Sequence, residues 1–155
     1  MDWNRYDAGA CSVSRTVGIL GDRWTVLVLR EVFNGVRRFG EIQEHLGVSK
    51  SVLTQRLQQL VDDGVLERQP YQEPGDRARH EYRLTDRGRD LRPVLVAMMD
   101  FGDRHLSGGE PPVRLLHRDC GQQVHAQLVC DCGHRVETGR EVAIAPGPGA
   151  EPLAG

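Results

Sequence analysis

Residues Phe39 to Gly64, FGEIQEHLGVSKSVLTQRLQQLVDDG, limit the fold of this chain more than any other stretch. Ile42 and Leu46 lie four apart, as one apolar stripe of a helix. Gly47 then breaks the pattern where a helix can end in the left-handed conformation, which glycine adopts without steric penalty. Ser49 follows as an N-cap residue whose hydroxyl can satisfy free amides of a second helix. Leu53, Leu57, Leu60 and Val61 give that helix its buried stripe, and Asp62, Asp63 and Gly64 end it. The pattern predicts two helices joined by a tight turn.

The other face of the second helix carries Lys50, Ser51, Thr54, Gln55, Gln58 and Gln59, with Arg56 as a further cation. A helix that needs only solubility usually alternates Glu and Lys. A helix that enters the DNA major groove needs hydrogen-bonding side chains near its N-terminus and few acids. Lys50–Asp63 spans roughly 21 Å at the helical rise, enough to cross a groove. The competing interpretation is a solvated helix in a bundle.

The period changes after Gly64. Val65–Gln69 reads as a short strand, Pro70–Arg79 as a loop with the turn signal Pro74-Gly75-Asp76, and His80–Leu84 as a returning strand. Two strands and a basic loop directly after a helix-turn-helix make a winged helix. Arg77 and Arg79 on the loop, flanked by Arg68 and Arg83, are placed to touch phosphate or the minor groove. Such contacts set affinity rather than sequence choice. His80 beside the wing can meet phosphate, and Arg38, after Arg37, joins the candidate DNA contacts. The net charge is −2, so any nucleic-acid surface must come from local clustering.

Residues 1–10 read as a loose arm, with Trp3 and Tyr6 packing on the domain or on a partner chain. Ser12 or Ser14 opens a helix with Val13, Val17 and Leu20 inward, closed by Gly21. Trp24–Asn34 is apolar beyond one stripe and should be the most buried helix. Thr85-Asp86-Arg87-Gly88 opens another helix, with Thr85 as N-cap and Pro93 inside it as a kink point. Leu91 and Leu95 are expected inward, and Met98, Met99 and Phe101 toward a dimer partner. The expected fold class is α+β, mainly α. It is a winged helix-turn-helix over residues 11–106, with extra N- and C-terminal dimerisation helices and a small β extension. The start of the chain has no apolar core of signal-peptide type, and the longest apolar run, Val26–Leu29, cannot span a bilayer. A soluble cytoplasmic protein is expected, with no membrane partner. No Ser/His/Asp order, phosphate loop or paired carboxylates point to an enzyme.

Together, Cys11-Ser12-Val13, Leu20–Thr25, Leu29-Arg30-Glu31, Arg37-Arg38-Phe39, Leu53–Leu57, Asp63-Gly64 and Tyr82–Gly88 resemble the HxlR-type winged-helix transcription regulators, related to the MarR group. The resemblance covers about residues 8–106. It implies a homodimeric regulator on a near-palindromic double-stranded operator with half-sites roughly 34 Å apart, and the expected action of such a regulator here is as a repressor. By position, Ser49, Lys50, Ser51, Thr54, Gln55 and Arg56 would face bases, and Arg77 and Arg79 would touch the backbone. Gly40 stands where the family often has an Asn or Ser N-cap. Cys11 falls on an N-terminal cysteine that some members use to sense quinones, aldehydes or oxidants; otherwise it is a small apolar packing residue. Two other functions stay open: a protein-interaction module without DNA binding, and a zinc-responsive regulator.

Residues 107–112 read as a linker. Residues 113–144 then carry two turns of the form ligand–spacer–Cys-Gly, which resemble a small zinc ribbon. His117, Cys120, Cys130 and Cys132 would be the ligands of a structural zinc ion. Cys130-x-Cys132 is one residue shorter than the usual pair, so His134 or His125 could substitute. A metal-free hairpin and a redox pair of Cys130 and Cys132 are the alternatives. Residues 145–155, rich in Pro and Gly, are expected to be disordered.

Overall fold

The computed structural model of the chain describes residues 2–72 and 78–152, leaving out the side chain of Trp3. Arg77 and the expected Pro74-Gly75-Asp76 turn lie outside the described residues, as does the Trp3 side chain assigned to an interface. By its contacts the chain divides into residues 2–90 with 147–152, and residues 91–146. The sequence places that boundary at Leu106/Ser107 instead.

The first unit contains α1 (Ser12–Leu20), α2 (Arg23–Phe33), α3 (Phe39–Leu46), α4 (Lys50–Asp62), β1 (Leu66–Tyr71), β2 (Arg79–Leu84) and the single turn α5 (Asp86–Arg89). Helix α2 is the hub and packs on α1, α3, α4 and β2. Its Val28 and Leu29, together with Ile42, Leu53, Leu57 and Leu60, have no exposed surface. At about 25 cal/mol per Å² of apolar area, this common stripe is what fixes α4 on its scaffold. Gly47 takes φ +61° and caps α3, and the Ser49 hydroxyl accepts from the Val52 N–H at 3.4 Å. The turn between the two helices therefore forms as its sequence predicts.

The strands pair antiparallel, with Leu66 opposite Leu84 and Tyr71 opposite Arg79. Arg38 bridges to Glu81, and the Tyr82 N–H donates to the Arg37 carbonyl at 2.9 Å, which ties the approach to α3 onto the wing. At the wing's base, the Thr85 hydroxyl donates to the Gly64 carbonyl at 2.6 Å and accepts from the Gly88 N–H at 3.0 Å. A Cβ on Gly88 would stand 2.2 Å from the Val65 carbonyl oxygen, so the Thr-Asp-Arg-Gly word encodes close packing of strand against turn.

Several expectations change. Arg38, not Gly40, occupies the N-cap of α3, without a side-chain cap. Helix α1 buries nothing: Val13 is 70% exposed and Val17 55%, so its apolar stripe faces outward. The helix expected from Thr85 onward is two, because Pro93 starts α6 (Arg92–His105) in its first turn, where a missing N–H costs no helical bond. Pro93 is thus an initiator and not a kink. In α6 the buried residue is Val96, while Leu91 and Leu95 are half-buried.

In the second unit, α6 holds the extension through Asp100. Its carboxylate accepts from the Ala126 N–H at 2.7 Å and lies 3.2 Å from His125 Nδ1. The extension itself is two small hairpins. The Val124 N–H donates to the Leu115 carbonyl in one, and the Val136 N–H to the Leu128 carbonyl in the other. In the tail, the Asp7 N–H donates to the Glu151 carbonyl at 2.8 Å and Tyr6 bridges to Pro152, so residues 151–152 pair with the N-terminal arm where the sequence suggests disorder.

Candidate nucleic-acid interface

The polar face of α4 divides into two halves. In the N-terminal half, Lys50, Ser51, Thr54 and Gln55 are exposed. Among the described residues, the side chains of Lys50, Thr54 and Gln55 make no hydrogen bond or ion pair, and Ser51 Oγ meets only Ser49 Oγ, at 3.2 Å. The helix start also brings free amides and the positive end of the helix dipole. In the C-terminal half the polar groups engage one another. Gln58 Nε2 donates to Asp62 at 2.6 Å, Gln59 Nε2 to Asp63 at 3.2 Å, and Arg68 from β1 donates to Gln58 Oε1. Uncommitted donors and acceptors therefore gather where a groove-reading helix presents them.

Arg56 stands apart from this set. Its Nε lies 3.2 Å from Asp22 Oδ1, and its side chain is 26% exposed. Asp22 also caps α2, accepting from the Trp24 and Thr25 N–H groups at 2.9 and 3.3 Å. The resemblance places Arg56 toward bases; in the structure its Nε also faces the carboxylate at the start of α2, without hydrogen-bond geometry. Asp22 announces itself as an N-cap by type; its tie to a residue 34 positions away leaves no local signal.

The wing is pinned from the same side. The Arg38 guanidinium lies 4.5 Å over the Tyr71 ring, and 3.9 Å from Glu41. Arg79 and His80 are exposed on β2. A second brace lies beneath α3, where the buried Glu31 carboxylate meets Arg30 at 2.5 Å and His45 Nδ1 at 2.6 Å. His45 is exposed at its rim but anchored to that carboxylate.

Cys11 sits at the N-cap position of α1, half-buried, with no side-chain cap bond. The four donors expected to hold zinc stand as two pairs. His117 Nδ1 lies 3.3 Å from Cys120 Sγ, and Cys130 and Cys132 share the other turn. Among the described residues no three His, Cys, Asp or Glu side chains are grouped so as to hold a metal ion. Hydrogen bonds from the His134 and Cys132 amides hold the Cys130 thiol below the ordinary thiol range.

A two-helix motif with a polar, uncommitted leading face, followed by a two-stranded wing, defines a winged helix-turn-helix DNA-binding protein. The chain belongs to the family of HxlR-like helix-turn-helix proteins, whose model matches residues 19–110. It is 46% identical over 140 residues to an HTH-type transcriptional regulator of Mycobacterium tuberculosis, Rv3095, covering 89% of this chain and 87% of the relative. That alignment is longer than the segment ending at Leu106, so it reaches into the extension. The crystal structure of PA1607, described as a transcription factor, is similar at TM-score 0.78 and 37% identity, over 90% of this chain and 97% of that one. The redox regulator HypR in its oxidised form is similar at TM-score 0.54 and 26% identity, over 61% and 96%. The protein is a DNA-binding transcription regulator and not an enzyme. No helix among the described residues is long and apolar enough to cross a membrane.

Proposed function

We propose that the chain acts as a homodimeric repressor that reads a near-palindromic operator with the N-terminal half of α4. The observation that carries this is the exposed set Lys50, Thr54 and Gln55, without side-chain partners among the described residues, beside a C-terminal half whose polar groups engage one another. Lys50 pairs with phosphate or guanine, Gln55 presents a two-pronged amide to a base edge, and Arg79 and His80 reach the backbone. Dimerisation is supported by two apolar stripes that are exposed among the described residues. One is Val13 and Val17 on α1; the other is Val94, Met98 and Phe101 on α6, where Phe101 is 61% exposed. Met99 is half-buried beside the second stripe, and Tyr6 half-buried in the arm.

An electrophile or oxidant response through Cys11 is supported by its place ahead of α1, one of the two helices with an open apolar stripe. The likeness to HypR, a redox regulator, adds weight. Modification there would shift the dimer and the spacing of the two recognition helices, lowering operator affinity.

The test is a gel-shift titration with the DNA upstream of the protein's own gene, at low and moderate salt. Specific binding that Lys50→Glu abolishes and Gln59→Ala retains is the expected result. A folded dimer that gives no specific complex at low salt would overturn the proposal in favour of a protein-interaction module.

A further inference from the structure

We propose that Cys130 and Cys132 form a reversible dithiol–disulfide couple at the apex of the second hairpin, oxidised by small hydroperoxides. The Gly133 N–H donates to the Cys130 carbonyl at 2.8 Å, and Gly133 takes φ +83°. Cys130, Asp131, Cys132 and Gly133 are thus the four residues of a β-turn whose ends lie within about 7 Å of each other. The first and third positions of such a turn fall inside the roughly 4.4–6.8 Å Cα separation that disulfides span. Both cysteines are free and exposed, so a small oxidant meets no steric barrier. The attacking form is the thiolate, which an exposed thiol supplies by losing its proton to water.

The chemistry balances within the turn. The Cys130 thiolate attacks one peroxide oxygen; an S–O bond forms, the O–O bond breaks, and the alkoxide leaves and takes a proton. The sulfur is oxidised to the sulfenic acid and the peroxide is reduced to an alcohol. The Cys132 thiolate then attacks the Cys130 sulfur; the S–S bond forms, the S–O bond breaks, and hydroxide leaves as water after taking a proton. One dithiol and one hydroperoxide give one disulfide, one alcohol and one water. The disulfide returns to the dithiol by exchange with an external thiol, which makes the couple reversible.

The first hairpin supplies an internal contrast. Cys120 has the His117 imidazole 3.3 Å from its sulfur but no second thiol in its turn. It therefore has no partner within its own turn with which to close a disulfide.

The experiment treats the reduced full-length protein with one equivalent of hydrogen peroxide, alkylates the remaining thiols and maps them by mass spectrometry. The expected outcome is loss of two alkylation sites, Cys130 and Cys132, with both regained after thiol reductant. Cys132→Ser should leave Cys130 as a sulfenic acid that dimedone traps, and Cys120→Ser should oxidise like the parent. Three results would overturn the proposal: no loss of thiols, a disulfide joining Cys120 or Cys11 to another cysteine, or a stoichiometric co-purified zinc ion that shields Cys130 and Cys132 from alkylation. None of these readouts depends on DNA, so a failure here is separate from a failure of operator binding.

Discussion

In the winged unit, Leu29, Ile42, Leu53, Leu57 and Leu60 are wholly removed from water; between residues 113 and 146 no described residue is buried. The first region is positioned by apolar transfer and close packing, which hold a helix rigidly enough to present Lys50, Thr54 and Gln55 in a fixed register. The second takes its form from backbone hydrogen bonds in two turns. Its Leu116, Leu128 and Val129 remain more than half exposed. The contrast assigns different chemistry to each. A scaffold with a packed core suits recognition by shape, whereas an open turn suits reaction of a sulfur with a small molecule.

Substitutions can break or sharpen this contrast. Leu57→Ala should lower stability by about 3 kcal/mol, because a cavity opens beneath α4. Leu128→Ala in the extension should leave the main unfolding transition in denaturant within about 0.5 kcal/mol of the parent. An equal loss at both sites would mean that the extension is packed after all. Next in size is Gly88→Ala, at about 2 kcal/mol, since the new methyl would collide with the Val65 carbonyl; thermal melting measures it.

On the recognition surface, Gln55→Ala should weaken operator binding about tenfold with unchanged melting, while Gln59→Ala should change it little. Equal effects in fluorescence-anisotropy titrations would erase the distinction between the halves of α4. Ser49→Ala should remove a cap and cost about 1 kcal/mol of stability. The smallest effect lies in the extension. The Cys130 thiol is lowered only in the folded chain, so its alkylation should reach half-maximal rate at a lower pH there than in urea. The sign follows from stabilised thiolate: the folded chain keeps it as pH falls through a range where the unfolded chain has already bound a proton. Coincident pH profiles would show that the turn amides do not reach the sulfur.

Much of the winged unit is legible in the residues because its signals are local. Gly47 and Ser49 punctuate two helices; the 3.6-residue spacing of Leu53, Leu57 and Leu60 gives the buried face; Thr85 announces a cap. The fold adds most where distance along the chain separates partners. That Arg56 stands beside Asp22 is visible only in the fold. Val13 and Val17 look like core until α1 is found to bury neither. Pro93 looks like a kink until the helix is seen to begin there. In the cysteine-rich turns, spacing names four candidate ligands, and the fold distributes them as one pair in each of two hairpins.

Sequence alone determined the helix-turn-helix, the polar leading face of its second helix and the wing, because each depends on periodicity and on residues within a few positions of one another. Tertiary structure decided which polar side chains stay free to meet DNA and which are committed to the scaffold. Those commitments, Arg56 to Asp22, Gln58 to Arg68 and His45 to Glu31, join residues ten to 34 positions apart. Such pairings arise only when the hydrophobic stripes have packed, and no short window of sequence contains both partners.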